Sequence, residues 1–68
     1  MREYYADGKI KAEGKFEDGL RQGIFTTYDE QGVKAAEDEY KNNMLRYHRE
    51  FNPDGKIVSE KIVYNPSQ

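Results

Sequence analysis

His48 is the single histidine of the sequence and stands among Arg46, Arg49 and Glu50. Histidine suits proton transfer because its pKa lies near neutral pH, but a general base also needs a nucleophile or substrate within reach. The sequence has no cysteine and therefore no thiolate, and its one histidine makes a histidine-rich metal site, or a Ser-His-Asp triad with a histidine to spare, hard to build. We therefore expect His48 to be a solvated residue on a strand face, and we expect no enzymatic activity.

Two acidic runs, Asp29-Glu30 and Glu37-Asp38-Glu39, are the candidates for binding a hard cation. Calcium loops bring several oxygens together with the spacing Asp-x-Asp-x-Asp-Gly, which this sequence lacks. Consecutive strand residues also point to opposite faces, which would separate the three carboxylates of the second run. Both runs therefore predict solvated charge, and we expect no metal and no cofactor.

The glycines and the overall charge exclude other ligand classes. Phosphate-binding loops place their glycines within a few residues of one another, whereas the glycines of the turn pairs, Gly8, Gly19, Gly32 and Gly55, are 11 to 23 residues apart. Lys and Arg number 11 against 13 Asp and Glu, a formal charge of -2, and the pI is about 5.3. This balance argues against nucleic acid and against electrostatic binding to anionic lipid. No small-molecule substrate is evident.

The chain has 68 residues, enough for one small domain spanning 1–68. Leu, Ile, Val and Phe together number only 12, but six Tyr and three Phe accompany a small net charge. This combination predicts a folded domain with a thin core. The chain shows no apolar run of about 20 residues and no signal peptide, which favours a cytoplasmic location.

Turn signals recur along the whole chain at nearly regular spacing. They are Asp7-Gly8, Asp18-Gly19, Gln31-Gly32, Asn42-Asn43 and Asp54-Gly55, whose second members are 11, 13, 11 and 12 residues apart. Such pairs suit tight hairpin turns because Gly, and less readily Asn, accept positive φ. We predict structural turns at Gly8, Gly19, Gly32, Asn43 and Gly55. Turns at this spacing indicate an all-β chain.

The segments between the turns read as strands, with one exception. Ile10 to Phe16 alternates apolar and polar residues, and Gly23 to Tyr28 is rich in Ile, Phe, Thr and Tyr. Leu45 to Phe51 and Lys56 to Tyr64 are also strand-like. Val33 to Met44, in contrast, has apolar residues at helical spacing and a helix-favouring start.

An internal repeat decides that exception. Tyr4, Tyr28 and Phe51 occupy one repeat position, 24 and then 23 residues apart, and Glu13, Glu37 and Glu60 occupy another. The strand Ile10 to Phe16 then corresponds to Lys34 to Tyr40, so Val33 to Tyr40 is predicted to be a strand. Three hairpin repeats, approximately 2–25, 26–48 and 49–68, give an antiparallel meander of about six strands in one open sheet.

The repeat residues resemble a known family. The aromatic-aromatic-x-x-Gly start, the Glu five residues after that Gly, and Gly19-Leu20-Arg21-Gln22-Gly23 are similar to the variant MORN repeat (membrane occupation and recognition nexus). The second copy of the last element, Asn43-Met44-Leu45-Arg46-Tyr47, lacks both glycines, which leaves the register of the fourth and fifth strands open. The resemblance implies a twisted sheet of hairpins, a binding or scaffolding role, and the bacterial toxin–antitoxin antitoxin type.

The aromatic residues are the remaining candidates for function. Phe16, Tyr28, Tyr40 and Phe51 are predicted to form a cross-strand ladder that holds the sheet together. The protein-binding candidates are Tyr5, Phe25, Tyr47 and Tyr64. Adjacent pairs such as Ile24-Phe25 point to opposite faces of a strand, so some aromatics leave the main apolar face. These could form a protein-binding patch or a second layer of packing.

A sheet of this size needs a partner to cover it. It has few aliphatic residues to offset the entropy of folding, and an open meander leaves two edge strands. We expect self-association or protein docking through the sheet face or the edge from Lys56 to Tyr64. The alternatives are a module that binds membrane surfaces or lipid head groups, and a structural spacer in a longer repeat array.

Overall fold

Six antiparallel strands form one open sheet in the computed structural model, which describes residues 1–63. The strands are β1 (Arg2–Tyr4), β2 (Ile10–Glu17), β3 (Leu20–Tyr28), β4 (Lys34–Lys41), β5 (Met44–Phe51) and β6 (Ile57–Ile62). They lie side by side in chain order, which confirms the predicted all-β meander. Residues 1–63 contain no helix long and apolar enough to cross a membrane.

The segment with helical spacing is a strand. Lys34 to Lys41 forms β4, which pairs along its length with β3 on one side and β5 on the other. A helix here would leave the backbone groups of both neighbours unpaired, so cross-strand pairing outweighs the local preference of Lys34-Ala35-Ala36-Glu37 for a helix. The repeat therefore predicted the backbone more accurately than the propensity did.

Two kinds of turn alternate along the meander. The short turns have two central residues with positive φ, Asp18 (51°) with Gly19 (78°) and Asn42 (49°) with Asn43 (71°), which is the type I′ geometry that matches strand twist. The longer turns share one pattern of backbone hydrogen bonds. In the first, Tyr5 N–H donates to Lys9 C=O at 2.8 Å. The same bond recurs from Asp29 to Val33 and from Asn52 to Lys56, at 2.9 Å in both, and Gly8, Gly32 and Gly55 all have positive φ.

The register between β4 and β5 is now defined. Asp38 lies opposite His48 and Glu37 lies opposite Arg49, with a shift of one residue between Glu39 and Tyr40. Every strand pair contains one shift, which is of two residues between β2 and β3 and of one residue in the other pairs. These irregularities let consecutive hairpins of slightly different length share one sheet.

The sheet is a single layer. Its extents are 42 × 30 × 11 Å, and two packed sheets alone would lie about 10 Å apart between their mean planes. Among residues 1–63 no side chain is buried. The strands are therefore held by backbone pairing and by side chains that contact each other across neighbouring strands.

We predict that Gly19→Ala destabilises the protein by about 1–2 kcal/mol through backbone strain alone. Gly19 has φ +78° and nothing lies within 4 Å of where a Cβ would stand, so no steric overlap contributes. Gly19→Asn is the matched control, because Asn accepts positive φ at lower energy. Chemical denaturation of the three proteins gives the free energies of unfolding. Equal losses for Ala and Asn would contradict the backbone explanation.

Candidate functional site

One face of the sheet, here called the front face, carries a cluster of three aromatic rings. Phe25 lies between Phe16 and Tyr40, with ring centroids 5.6 and 5.3 Å away and edge-to-face angles of 89° and 79°. The Arg21 guanidinium lies 4.4 Å from the centroid of the Tyr40 ring. The predicted ladder is therefore wrong in its membership: Phe16 and Tyr40 belong to the cluster, Tyr28 and Phe51 do not, and the central ring is Phe25.

Gly14 makes room for this cluster. A Cβ added at Gly14 would overlap the ring of Phe25, which lies directly over the backbone of β2. The pairing of β2 with β3 shifts beside Gly14, between Glu13 and Lys15, and Gly23 on β3 has positive φ. The missing side chain and the shift together bring Phe25 against its neighbours.

The predicted ladder members Tyr28 and Phe51 have other partners. The Tyr28 hydroxyl donates to Glu13 Oε1 at 2.9 Å, and this bond raises the pKa of Tyr28 above its ordinary value. The Lys34 ammonium lies 4.7 Å from the centroid of the Phe51 ring. Both side chains are half-buried by these contacts.

The structure does not bring the predicted protein-binding residues together. Phe25 lies within the aromatic cluster. The Tyr5 hydroxyl donates to the Tyr28 carbonyl at 2.7 Å, beyond the end of β1. Tyr47 lies under the Arg49 guanidinium at 4.2 Å, and burial followed by the charge of Glu37 raises its pKa. Tyr64 lies outside the described residues.

The opposite face, here called the back face, carries a row of six residues that are neighbours strand by strand. This charge row is Arg2, Glu13, Thr26, Glu37, Arg49 and Glu60, one from each strand in order. The Arg49 guanidinium lies 3.6 Å from Glu37 and 2.5 Å from Glu60, and the Arg2 guanidinium lies 3.8 Å from Glu13. The row therefore begins with a cation at β1 and ends with an anion at β6.

His48 is part of a small ionic cluster on the front face that the sequence reading missed. Its Nδ1 meets Asp38 on β4, and its Nε2 lies 2.9 Å from Glu50 on the same strand. The bonds to Glu50 and then to Asp38 raise the pKa of His48 above its ordinary 6.5, and Lys61 lies opposite it on β6. The contact with Glu50 could have been predicted from the sequence, because residues two apart on a strand share a face. The contact with Asp38 could not, because it depends on the register of β4 with β5.

The geometry of this cluster does not suit a metal ion. The carboxylates of Asp38 and Glu50 meet opposite nitrogens of the His48 ring, so the three groups do not converge on one point. In residues 1–63 no group of three or more His, Asp and Glu side chains is arranged to hold a metal. Glu37 and Glu39 lie on the back face and Asp38 on the front face, as strand alternation predicted.

A depression with a volume of about 390 Å³ lies on the back face. It is open, and it is lined by Arg2, Glu13, Lys15, Ile24 and Thr26, together with Met1 and Gly14. Arg2 and Glu13 are paired with each other. The depression therefore offers a shallow, mixed surface.

Comparison with protein families gave one match. The family described as "MORN repeat variant" matches residues 1–18 and 21–42, which together are 40 of the 68 residues. No curated protein and no solved structure matched the chain. The match covers β1, β2 and β4 completely and β3 except for Leu20.

We predict that Gly14→Ala destabilises the protein by about 1–3 kcal/mol, because the added methyl displaces the Phe25 ring from Phe16 and Tyr40. Denaturation measures the loss. The control is the same substitution in a Phe25→Leu background, where the smaller side chain can move aside and the loss should be smaller. Equal losses in the two backgrounds would show that Phe25 is not what Gly14 accommodates.

We predict that stability falls as pH rises through the raised pKa of His48. The folded state favours the imidazolium, so its stabilisation is fully present below 6.5, the ordinary pKa, and is lost above the folded-state value. The His48→Gln variant should lack this decline. Thermal unfolding followed from mildly acidic to mildly alkaline pH tests it, and parallel curves for the two proteins would contradict it.

Proposed function

This chain belongs to the MORN repeat variant family, and we propose that it is a non-enzymatic module that binds proteins and serves as a scaffold for them. MORN repeats are β-repeat modules that often act in binding and scaffolding. The observation that carries the proposal is the aromatic cluster on a sheet face that no other part of residues 1–63 covers. Phe16 belongs to the cluster and is still 48% exposed.

The composition of this surface supports a protein partner. Aromatic residues and Arg are enriched where protein interfaces hold most of their binding energy. The cluster of Phe16, Phe25 and Tyr40, with Arg21 against Tyr40, has both, and edge-to-face packing already restricts the ring orientations. A partner that covers these rings loses little side-chain entropy on binding.

A catalytic role finds less support. His48 is the natural candidate for a general base, but Asp38 and Glu50 occupy both of its ring nitrogens. A base needs one nitrogen directed at a substrate proton. The cluster instead joins β4 to β5, which favours a structural role for the histidine.

The antitoxin role is a narrower form of the same proposal, in which the bound protein is a toxin. Its support is the resemblance of the repeat, and the docking surface would be the same front face. Co-expression with the product of a neighbouring gene, followed by co-purification, tests this narrower form. Failure there would leave a protein-binding role on other partners intact.

We predict that Phe16→Ala weakens binding to a partner by about tenfold or more, because Phe16 is the most exposed ring of the cluster. Cross-linking and mass spectrometry identify the partner, and calorimetry with the purified partner gives the affinity. Ile24→Ala is the matched control, since Ile24 is 47% exposed and lies on the back face.

Equal effects of Phe16→Ala and Ile24→Ala on the affinity would place the docking surface elsewhere.

Co-sedimentation with anionic vesicles tests the membrane alternative. The balanced charge of -2 and the paired carboxylates and guanidiniums of the charge row predict no binding. Salt-sensitive binding to such vesicles would overturn the choice of a protein partner.

A further inference from the structure

β1 and β6 form the two edges of the described sheet, and the internal repeat matches each of them to strands that have neighbours on both sides. The recurring turn bond from Tyr5, Asp29 and Asn52 aligns β1 with β3 and β5, and aligns β2 with β4 and β6. Inside the sheet β2 pairs with β3, and β4 pairs with β5. Within residues 1–63, β6 has no neighbour on its outer side, whereas the corresponding sides of β2 and β4 pair with β3 and β5.

We propose that the chain associates head to tail with further copies of itself, the β6 edge of one copy pairing with the β1 edge of the next. The contact repeats the relation of β2 to β3 and of β4 to β5. It lies at the edges of the sheet, so it is separate from the front-face docking proposed above.

The internal register says which residues meet. Glu13 pairs with Thr26 between β2 and β3, and Glu37 pairs with Arg49 between β4 and β5. One repeat further along, Glu60 stands opposite Arg2 of the second copy. This is the same combination of charges as Glu37 with Arg49, and it joins the anionic end of one charge row to the cationic end of the next.

The backbone at both edges is oriented for this pairing. Met1 and Gly14 exchange two backbone hydrogen bonds, at 2.9 and 2.6 Å, so by alternation Arg2 and Tyr4 direct their N–H and C=O groups outward. Val63 N–H donates to Arg46 C=O at 2.8 Å, so Glu60 on β6 directs its groups outward as well. Arg2 and Glu60, the residues that would meet, therefore both direct their backbone N–H and C=O groups toward the contact.

The side chains at the edges lack the cover that their equivalents have. Tyr4 is 57% exposed, whereas Tyr28 at the same repeat position is half-buried and bonded to Glu13. In the proposed contact the hydroxyl of Tyr4 of the second copy comes within reach of Glu60, as the Tyr28 hydroxyl reaches Glu13. The contact therefore restores at the edge the arrangement found between β2 and β3.

Charge also favours this contact over symmetric ones. Pairing of two β6 strands around Glu60 sets two carboxylates opposite each other, and pairing of two β1 strands around Arg2 sets two guanidiniums opposite each other. Like charges directly opposite on neighbouring strands are destabilising. The contact between β6 and β1 is heterologous, so it leaves a free edge at each end and further copies can add.

The test measures mass against concentration by sedimentation equilibrium at low salt. The wild-type protein should exceed the mass of two chains as concentration rises, without a plateau at two. The Arg2→Glu and Glu60→Arg variants should each remain monomeric, because each sets like charges across the contact. An equimolar mixture of the two should regain the association, since each copy then meets only copies of opposite edge charge.

Circular dichroism shows whether each variant folds, because the substitutions also remove the pairs of Arg2 with Glu13 and of Arg49 with Glu60. Tyr4→Pro is the second variant. Met1 and Tyr5 direct their N–H groups toward β2, so the Tyr4 N–H between them faces outward, and proline there removes no backbone bond within the sheet but blocks an added strand. Tyr4→Thr loses the same ring but keeps the N–H, so it is the matched control.

Four outcomes overturn the proposal: a wild-type mass that stays at one chain, a plateau at two chains, a mixture that stays monomeric, or association of Tyr4→Pro equal to that of Tyr4→Thr.

Discussion

Within residues 1–63 the sheet has no second layer, and the rest of the described structure depends on this constraint. In a sheet 11 Å thick a side chain can contact only residues on its own strand and on the neighbouring strands. The contacts that hold the strands together are therefore cross-strand contacts: ring against ring at Phe25, guanidinium against carboxylate at Arg49, and imidazole against carboxylate at His48. Each contact alone contributes little to the free energy of folding, so the stability of the sheet depends on having such a contact in every strand pair.

Cations replace part of the missing layer. Residues 1–63 contain four contacts between a Lys or Arg and an aromatic ring, at Tyr5, Tyr40, Phe51 and Tyr47, where about one in 70–80 residues is usual. A guanidinium or ammonium can cover a ring while remaining hydrated, which a second apolar layer would not allow. Phe16 and the apolar residues of β6 have no such contact in the described part of the chain, and they are more exposed than the rings covered in this way.

The strands were predictable and many of their partners were not. Turn spacing and the repeat indicated all six strands, because both can be read from the sequence alone. The repeat also predicted correctly that Val33 to Tyr40 is a strand, although Val33 to Met44 has helical spacing. Partners across strands depend on register. The shift beside Gly14 placed Phe25 at the centre of the aromatic cluster, and the register of β4 with β5 placed Asp38 on His48. A shift of this kind arises from how two hairpins fit together, which no single segment specifies.

In such a sheet the front face can dock a partner while the edge strands pair with other copies, because the two contacts use different surfaces. Pairing at an edge adds strands in the plane of the sheet and covers neither face, so every added copy would present another cluster of Phe16, Phe25 and Tyr40 in a fixed relation to the last. The binding of one partner molecule to several clusters gains from high effective concentration without any new contact. Under the two proposals, a module with a thin core and one modest docking surface would gain strong binding by adding copies of itself. The opposite charges of Arg2 and Glu60, at the two ends of the charge row, would favour this addition of copies over symmetric pairing of like edges.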